Sequence, residues 1–291
     1  MVELPTDAEP VSLVEGEALD LLRALPSASI DSVVTDPPYP MIDREYGRWT
    51  EAEWFALMDP VVEECRRVLK STGSAVFVLQ PNSERVGRMR TWLWEFMAKW
   101  GREWGMVQDA WWWNHAAMPS GGAPCRGLMR PSLKACVWLG AADCYRDQSA
   151  VLCVESDTNR AKRLSGRTGM EDFPARTGGK LNRERIGASA GARGGTTPFN
   201  VLPVANSNST NSAGSTGHGA GTPEKLARWW VRYITPPGGT VLDPFLGSGT
   251  TALAALAEGR LCVGSERFPK YAEIARRRVR EAMGTGLLTG V

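Results

Sequence analysis

Two periods of apolar positions alternate along this chain, one helical and one of the short continuous kind that buried strands use. Residues 18–25 (Ala-Leu-Asp-Leu-Leu-Arg-Ala-Leu) carry helical spacing, and the β-branched run Ile30–Thr35 predicts a strand. Asp36-Pro37-Pro38-Tyr39 follows at once. Its two prolines remove ladder donors and stiffen the backbone, which puts this turn at the carboxyl end of a buried strand. Residues 51–70 predict a helix with a kink or break at Pro60, stopped by Ser71-Thr72-Gly73. A strand over 74–79, an amphipathic helix over 86–100, and strands over 107–113 and 134–139 continue the alternation.

Periodicity disappears from Glu155 to Thr222, where Gly, Ser, Thr and Asn dominate. It returns with Thr222 as an expected N-cap and Pro223 at the first helical position of a helix reaching about Ile234. Pro236-Pro237-Gly238-Gly239 breaks that helix. A strand (Thr240–Asp243), a glycine loop, a helix (Thr250–Glu258, closed by Gly259), a strand (Leu261–Ser265) and a helix from Pro269 to about Met283 complete a βαβ unit. The expected fold is α/β and Rossmann-like, a mostly parallel central sheet with helices on both faces. Its organisation is two halves of one domain, 1–154 and 223–291, around an insert at 155–222.

Composition adds little to this until the charge is located. At 291 residues and 43% hydrophobic, the chain can bury one substantial core, and a net charge of +2 does not by itself imply an anionic partner. Within 155–222, however, nine basic residues oppose five acidic ones. Arg160, Lys162, Arg163, Arg167, Arg176, Lys180, Arg183, Arg185 and Arg193 all precede the uncharged run 194–217. Spaced arginines among small polar residues suit a surface that tracks phosphates and reaches bases, and equally a solvated linker. Trp92, Trp94, Trp100, Trp104 and Trp111 to Trp113 cluster in sequence; core packing accounts for most, base stacking for a minority at best. The six cysteines (65, 125, 136, 144, 153, 262) form no CxxC pair, and His115 and His218 have no metal-site spacing, so no metal is expected. No signal-peptide pattern and no membrane-length apolar run is seen, so the expectation is a cytoplasmic protein with reduced thiols.

The loop Asp243-Pro244-Phe245-Leu246-Gly247-Ser248-Gly249-Thr250 runs from strand to helix, and its glycines let backbone approach a ligand at a helix N-terminus. It lacks the third glycine of the dinucleotide fingerprint and the Lys-Ser/Thr of a Walker loop, which disfavours a phosphate site. Glu266, at the end of the next strand, stands where α/β folds place a carboxylate for ribose hydroxyls. A cationic, phosphate-free nucleoside such as S-adenosylmethionine suits the set, Asp243 facing its ammonium group directly or through water. The alternative is that the glycines only shape a tight turn and Glu266 is solvated.

An exocyclic base amine is a poor nucleophile because its lone pair is delocalised into the ring. Two acceptors that bind both amine hydrogens would localise that pair as the nitrogen pyramidalises. Asp36 supplies one, the Pro37 carbonyl aimed by the stiff turn a second, and Tyr39 a face for stacking. Such geometry requires a base outside the helix.

Thr35-Asp36-Pro37-Pro38-Tyr39 resembles the catalytic motif of the amino DNA methyltransferases, and Asp243 to Thr251 resembles their cofactor motif. With the catalytic motif first, the order is that of the β class, whose target recognition region lies between the two; 155–222 falls there. The resemblance implies the S-adenosylmethionine-dependent methyltransferase fold, with 1–154 as catalytic half and 223–291 as cofactor-binding half. It implies catalytic roles for Asp36, Pro37, Pro38 and Tyr39. It implies cofactor contacts from Asp243, Pro244, Phe245, Gly247, Ser248, Gly249, Thr250 and the ribose carboxylate Glu266. Gly16-Glu17 sits where the family has Gly-Asp, Thr222-Pro223-Glu224-Lys225 resembles its Thr-Glu-Lys-Pro segment with a proline inserted, and Arg67 to Lys70 corresponds to a helix end on the cofactor side. Arg160, Arg163, Arg167, Arg176, Lys180, Arg183 and Arg185 are the expected contacts to double-stranded DNA. Asp36 favours adenine N6 over cytosine N4, whose enzymes more often carry Ser there. A non-catalytic nucleic-acid-binding protein of this fold and a methyltransferase of RNA or protein stay open, as do a homodimer and a cognate restriction endonuclease as partners. The testable structural expectation is that Asp36 and Asp243 meet at adjacent strand ends.

Overall fold

The structure, a computed structural model, describes residues 3–43, 45, 47–85, 87–115, 129, 131–153, 194–205 and 222–284. They divide into two compact units, Met1–Arg146 with Asn200–Val291, and Asp147–Phe199.

The larger unit is built on a nine-stranded sheet ordered β1-β11-β10-β2-β3-β8-β7-β9, with β6 also paired to β8. Its strands are β1 (Val11–Glu15), β2 (Ile30–Thr35), β3 (Leu69–Leu79), β6 (Met106–Gln108), β7 (Trp111–Trp113), β8 (Leu133–Gly140), β9 (Val201–Pro203), β10 (Thr240–Asp243) and β11 (Leu261–Glu266). A separate hairpin is formed by β4 (Ser83–Arg85) and β5 (Arg88–Met89). The helices are α1 (Ala18–Ala24), α2 (Glu51–Val68), α3 (Trp92–Trp100), α4 (Glu224–Ile234), α5 (Thr250–Ala257) and α6 (Pro269–Gly284). Strands β1, β11, β10, β2 and β3 run parallel, while β6, β7 and β8 add antiparallel pairings. The expected α/β architecture is therefore present.

The parallel strands are buried on both faces, as six consecutive buried residues in β2 illustrate. From β2 the chain crosses to β3 on one side, and from β10 to β11 on the other, so the strand order reverses between β2 and β10. In open α/β sheets the crevice at such a switch point, outside the carboxyl ends, is where ligands bind.

Helix α2 covers the sheet with Trp54, Met58, Val61, Val62, Cys65 and Val68, a helical stripe of buried side chains. A capping box between Thr50 and Glu53 starts it. The expected break at Pro60 does not occur; the helix is continuous through it. The proline penalty of about 3 kcal/mol is smaller than the burial of six apolar side chains. The core joins Trp54, Trp92, Phe96 and Phe77 in edge-to-face contacts. Core packing thus holds for Trp92, Trp100 and Trp112, whereas Trp94 and Trp113 are exposed.

Other boundaries differ from the sequence reading. The helix expected over 86–100 is only Trp92–Trp100, because the hairpin β4–β5 precedes it and Gly87 at φ 79° makes its turn. The strand expected over 107–113 is split at Asp109 and Ala110 into β6 and β7. Strands β1 and β9 were not expected at all. β9 lies within the span read as insert yet pairs with β7. Arg67 to Lys70 sits at the amino end of the sheet, away from the switch-point edge. There Arg67 donates to the Leu22 and Leu25 carbonyls, and Lys70 bonds Asp31 near the start of β2.

In the smaller unit, Asp147 Oδ1 accepts from the Ser149 and Ala150 amides, capping a 3₁₀ turn over Gln148–Val151, and Cys153 pairs with Thr196 in an antiparallel bridge. The basic positions 160–193 and His218 lie outside the described residues.

Candidate active site

Parallel pairing of β10 with β2 (Val241 to Ser32, Leu242 to Val33) brings Asp243 beside the Thr35–Asp36 strand end, so the two motifs meet although 207 positions separate Asp36 from Asp243. The Thr35 hydroxyl donates to Asp243 Oδ1 at 2.6 Å, and the Phe245 amide donates to the same oxygen at 3.1 Å. Asp243 is buried, and burial raises its pKa from 3.8 to about 6 against the lowering effect of its hydroxyl and amide donors; the nearby Asp36 charge raises it further.

β11 continues the edge. Glu266 is buried rather than solvated: Oε2 accepts the Gly247 amide at 2.9 Å and Oε1 the Phe268 amide at 2.8 Å. It therefore holds the glycine loop in shape, while each oxygen keeps a further lone pair. Burial raises the Glu266 pKa, and these amide donors oppose the rise. Gly249 enters helix α5 as a left-handed N-cap at φ 86°, with Thr250 the first helical residue. Ser248 turns away from the cavity mouth, its carbonyl accepting from Arg278 of α6 at 2.6 Å.

A cavity of about 350 Å³ opens here, within the size range of small-molecule sites. Asp36 to Tyr39, Glu17, Pro244, Phe245, Gly247, Glu266, Phe268 and Tyr271 line it. A smaller recess of about 50 Å³ adjoins through Asp36, Phe245 and Gly247; it reaches Asp243, Ser248, Thr250 and Thr222. Glu17, at the N-cap of α1, is exposed and faces Arg267 at 3.5 Å.

The Asp-Pro-Pro-Tyr turn is clamped from several sides. Trp54 Nε1 donates to the Pro38 carbonyl at 2.6 Å and Asn82 Nδ2 to that of Pro40 at 2.7 Å. Among the described residues no donor reaches the Pro37 carbonyl, the second acceptor expected from the sequence. Tyr39 is buried, and its hydroxyl donates to Asp36 Oδ1. Thr222 Oγ1 donates to Asp36 Oδ2 at 2.7 Å. That bond explains a correction at α4: Pro223, not Thr222, is the N-cap, at φ −59° and ψ 136°, so the Thr222 hydroxyl is left for Asp36. Glu224 then faces Arg228 at 3.8 Å, and Lys225 is exposed; neither lines the cavity or the recess.

Sequence reasoning missed Lys134, the second residue of β8, whose Nζ donates to the Tyr39 hydroxyl at 3.2 Å. The available signal was a lysine opening an otherwise apolar strand.

A glycine loop, an acidic strand end and a stiff acidic turn at one switch point define a nucleoside-dependent group-transfer enzyme of the α/β class. Residues 30–277 match the model of the DNA methylase family of N6 and N4 methyltransferases, and the chain belongs to that family. Type II methyltransferase M.HinfI of Haemophilus influenzae is 25% identical over 289 residues, covering 93% of this chain and 68% of the relative. The solved PvuII DNA methyltransferase, described as cytosine-N4-specific, superposes with a TM-score of 0.69 at 20% identity, covering 97% and 94% of the two chains. A DNA modification methylase of Thermus thermophilus, solved with S-adenosyl-L-methionine, does so with a TM-score of 0.58 at 22% identity over 96% and 95%. The fold is that of S-adenosylmethionine-dependent DNA methyltransferases. Among the described residues no helix is long and apolar enough to cross a membrane.

Proposed function

We propose that this DNA methyltransferase acts on the N6 amine of an adenine flipped out of double-stranded DNA at a specific sequence. The observation that carries the reading is the Asp36 carboxylate, fixed by Tyr39 and Thr222 at the wall between cavity and recess, with the Pro37 carbonyl beside it in sequence left without a donor.

The cavity fits the cofactor's parts in chemical kind. Glu266 offers its remaining lone pairs to ribose hydroxyls, Phe245 and Phe268 offer apolar faces to adenine, and Asp243 in the recess offers a carboxylate to an ammonium group. Bound there, S-adenosylmethionine supplies a methyl group on a positively charged sulfur, so no covalent enzyme intermediate is needed. Asp36 and the Pro37 carbonyl accept the two amine hydrogens and draw the nitrogen lone pair out of the ring. After transfer in line, the surplus proton leaves to Asp36 or to water. Arg160, Arg163, Arg167, Arg176, Lys180, Arg183 and Arg185 are proposed to contact phosphates and bases. Glu17 is proposed at the adenine rim of the cavity.

Cytosine N4 is the second reading, favoured by the likeness to the cytosine-N4-specific PvuII enzyme. Treating duplex DNA with the protein and identifying the modified nucleoside by mass spectrometry separates the two. Asp36→Ala is expected to abolish product while cofactor affinity stays within about threefold of the parent. Methylation by that variant at the parent rate would remove Asp36 from the mechanism. Methylome sequencing of an expressing host gives the recognition sequence, at which a paired endonuclease would cut.

A further inference from the structure

We propose that Lys134 is a positioning residue that, through Tyr39, aims the Asp36 carboxylate at the target amine. The proposal rests on the methyl-transfer reading above and assigns the orientation of its key acceptor.

Lys134 projects from β8, the antiparallel strand beside β3, into the neighbourhood of a turn that follows β2. Its side chain is only 17% exposed, and a lysine that far from water needs compensation. It has three sources. Nζ lies 5.3 Å from the centre of the Tyr39 ring and 4.8 Å from that of Trp112, within cation–π range of both. It lies 3.7 Å from Asp36 Oδ2, and it donates to the Tyr39 hydroxyl at 3.2 Å.

The last contact has a direction. An ammonium group has donors and no acceptor, so the Tyr39 oxygen must accept from Lys134 and spend its own proton elsewhere. Two acceptors are in reach: Asp36 Oδ1, and the Val78 carbonyl at 3.3 Å. The cation polarises the hydroxyl, and the stronger acceptor for a polarised O–H is the carboxylate. Lys134 thereby commits Tyr39 to Asp36 Oδ1, while Thr222 holds Oδ2. With both oxygens tethered, one rotamer of Asp36 is fixed and the remaining lone pairs point toward the cavity and recess that Asp36 lines. Without the cation, Tyr39 is free to turn to Val78, and Asp36 loses one of its two tethers.

The test is a double-mutant cycle on the full-length protein with duplex DNA and labelled S-adenosylmethionine, comparing Lys134→Met, Lys134→Arg, Tyr39→Phe and the pair Lys134→Met with Tyr39→Phe. Lys134→Met should lower kcat by roughly 10- to 100-fold, the scale of a misaligned reacting group, with cofactor Kd and DNA KM within about twofold. Lys134→Arg, a cation with donors only, should recover at least about tenfold of the loss. In the Tyr39→Phe background the lysine change should cost less than about threefold, because the path through the hydroxyl is already gone. Three results would overturn the proposal: an unchanged kcat in Lys134→Met, full additivity with Tyr39→Phe, or a loss confined to DNA KM with a shallower salt dependence, the signature of a phosphate contact. Each of these, with an active parent, leaves the methyl-transfer reading intact. A parent inert on duplex DNA overturns that reading and this role with it. Should Lys134→Met fail to fold, the Arg variant and the coupling of Lys134→Gln to Tyr39→Phe give the same readouts.

Discussion

Lowering the pH from 7 to 5 is expected to weaken S-adenosylmethionine binding about tenfold, because Asp243 takes up a proton. The buried carboxyl titrates at about 6, so it is roughly nine-tenths ionised at pH 7 and one-tenth at pH 5. An ammonium partner binds the ionised form, and affinity follows that fraction. Isothermal titration of the parent and of Asp243→Asn across this range tests it. The Asn side-chain oxygen still accepts from Thr35 and the Phe245 amide, so the variant should bind weakly and with a flatter profile; any residual slope belongs to Glu266. The same group opposes folding. Its folded pKa of about 6 lies above the usual 3.8, so its contribution to stability is fully present below pH 3.8 and lost as pH rises through 6. Two units at 1.36 kcal/mol each make the loss roughly 3 kcal/mol. Asp243→Asn without cofactor should therefore be more stable than the parent at neutral pH by up to that amount, and not in acid. A parent affinity that is flat with pH, or an Asn variant with the parent's slope, would refute the reasoning.

Two further changes probe the supports of the site. Trp54→Phe removes the fully buried donor to the Pro38 carbonyl; it is expected to cost about 2 kcal/mol in urea unfolding and to lower kcat more than cofactor affinity. Gly264→Ala would set a methyl 2.7 Å from the Asp243 carbonyl oxygen, so β11 must move off β10. About 2–4 kcal/mol of stability should be lost in unfolding, and cofactor binding with it.

The local signals in the chain were strong wherever one segment suffices to define its own structure. Ile30–Thr35 running into two prolines could only be a strand ending in a stiff turn, and Thr240 to Glu266 spelled out strand, loop, helix and strand. The fold class, the meeting of Asp36 with Asp243 and the family resemblance all came from these stretches. β1 and β9 escaped because they are short and only partly buried, so neither carries a full period of apolar residues. Pro60 misled because the cost of one missing donor is local, whereas the burial that outweighs it is spread along the whole of α2.

Residue types and their order along the chain determined which chemistry this protein can carry, namely an acidic acceptor beside a nucleoside pocket. The tertiary structure alone decided how that acceptor is held. The partners of Asp36 arrive from different elements: Tyr39 from its own turn, Thr222 from ahead of α4, and Lys134 from β8. No spacing rule links positions 36, 134 and 222, because sheet pairing and packing across the whole core bring them together.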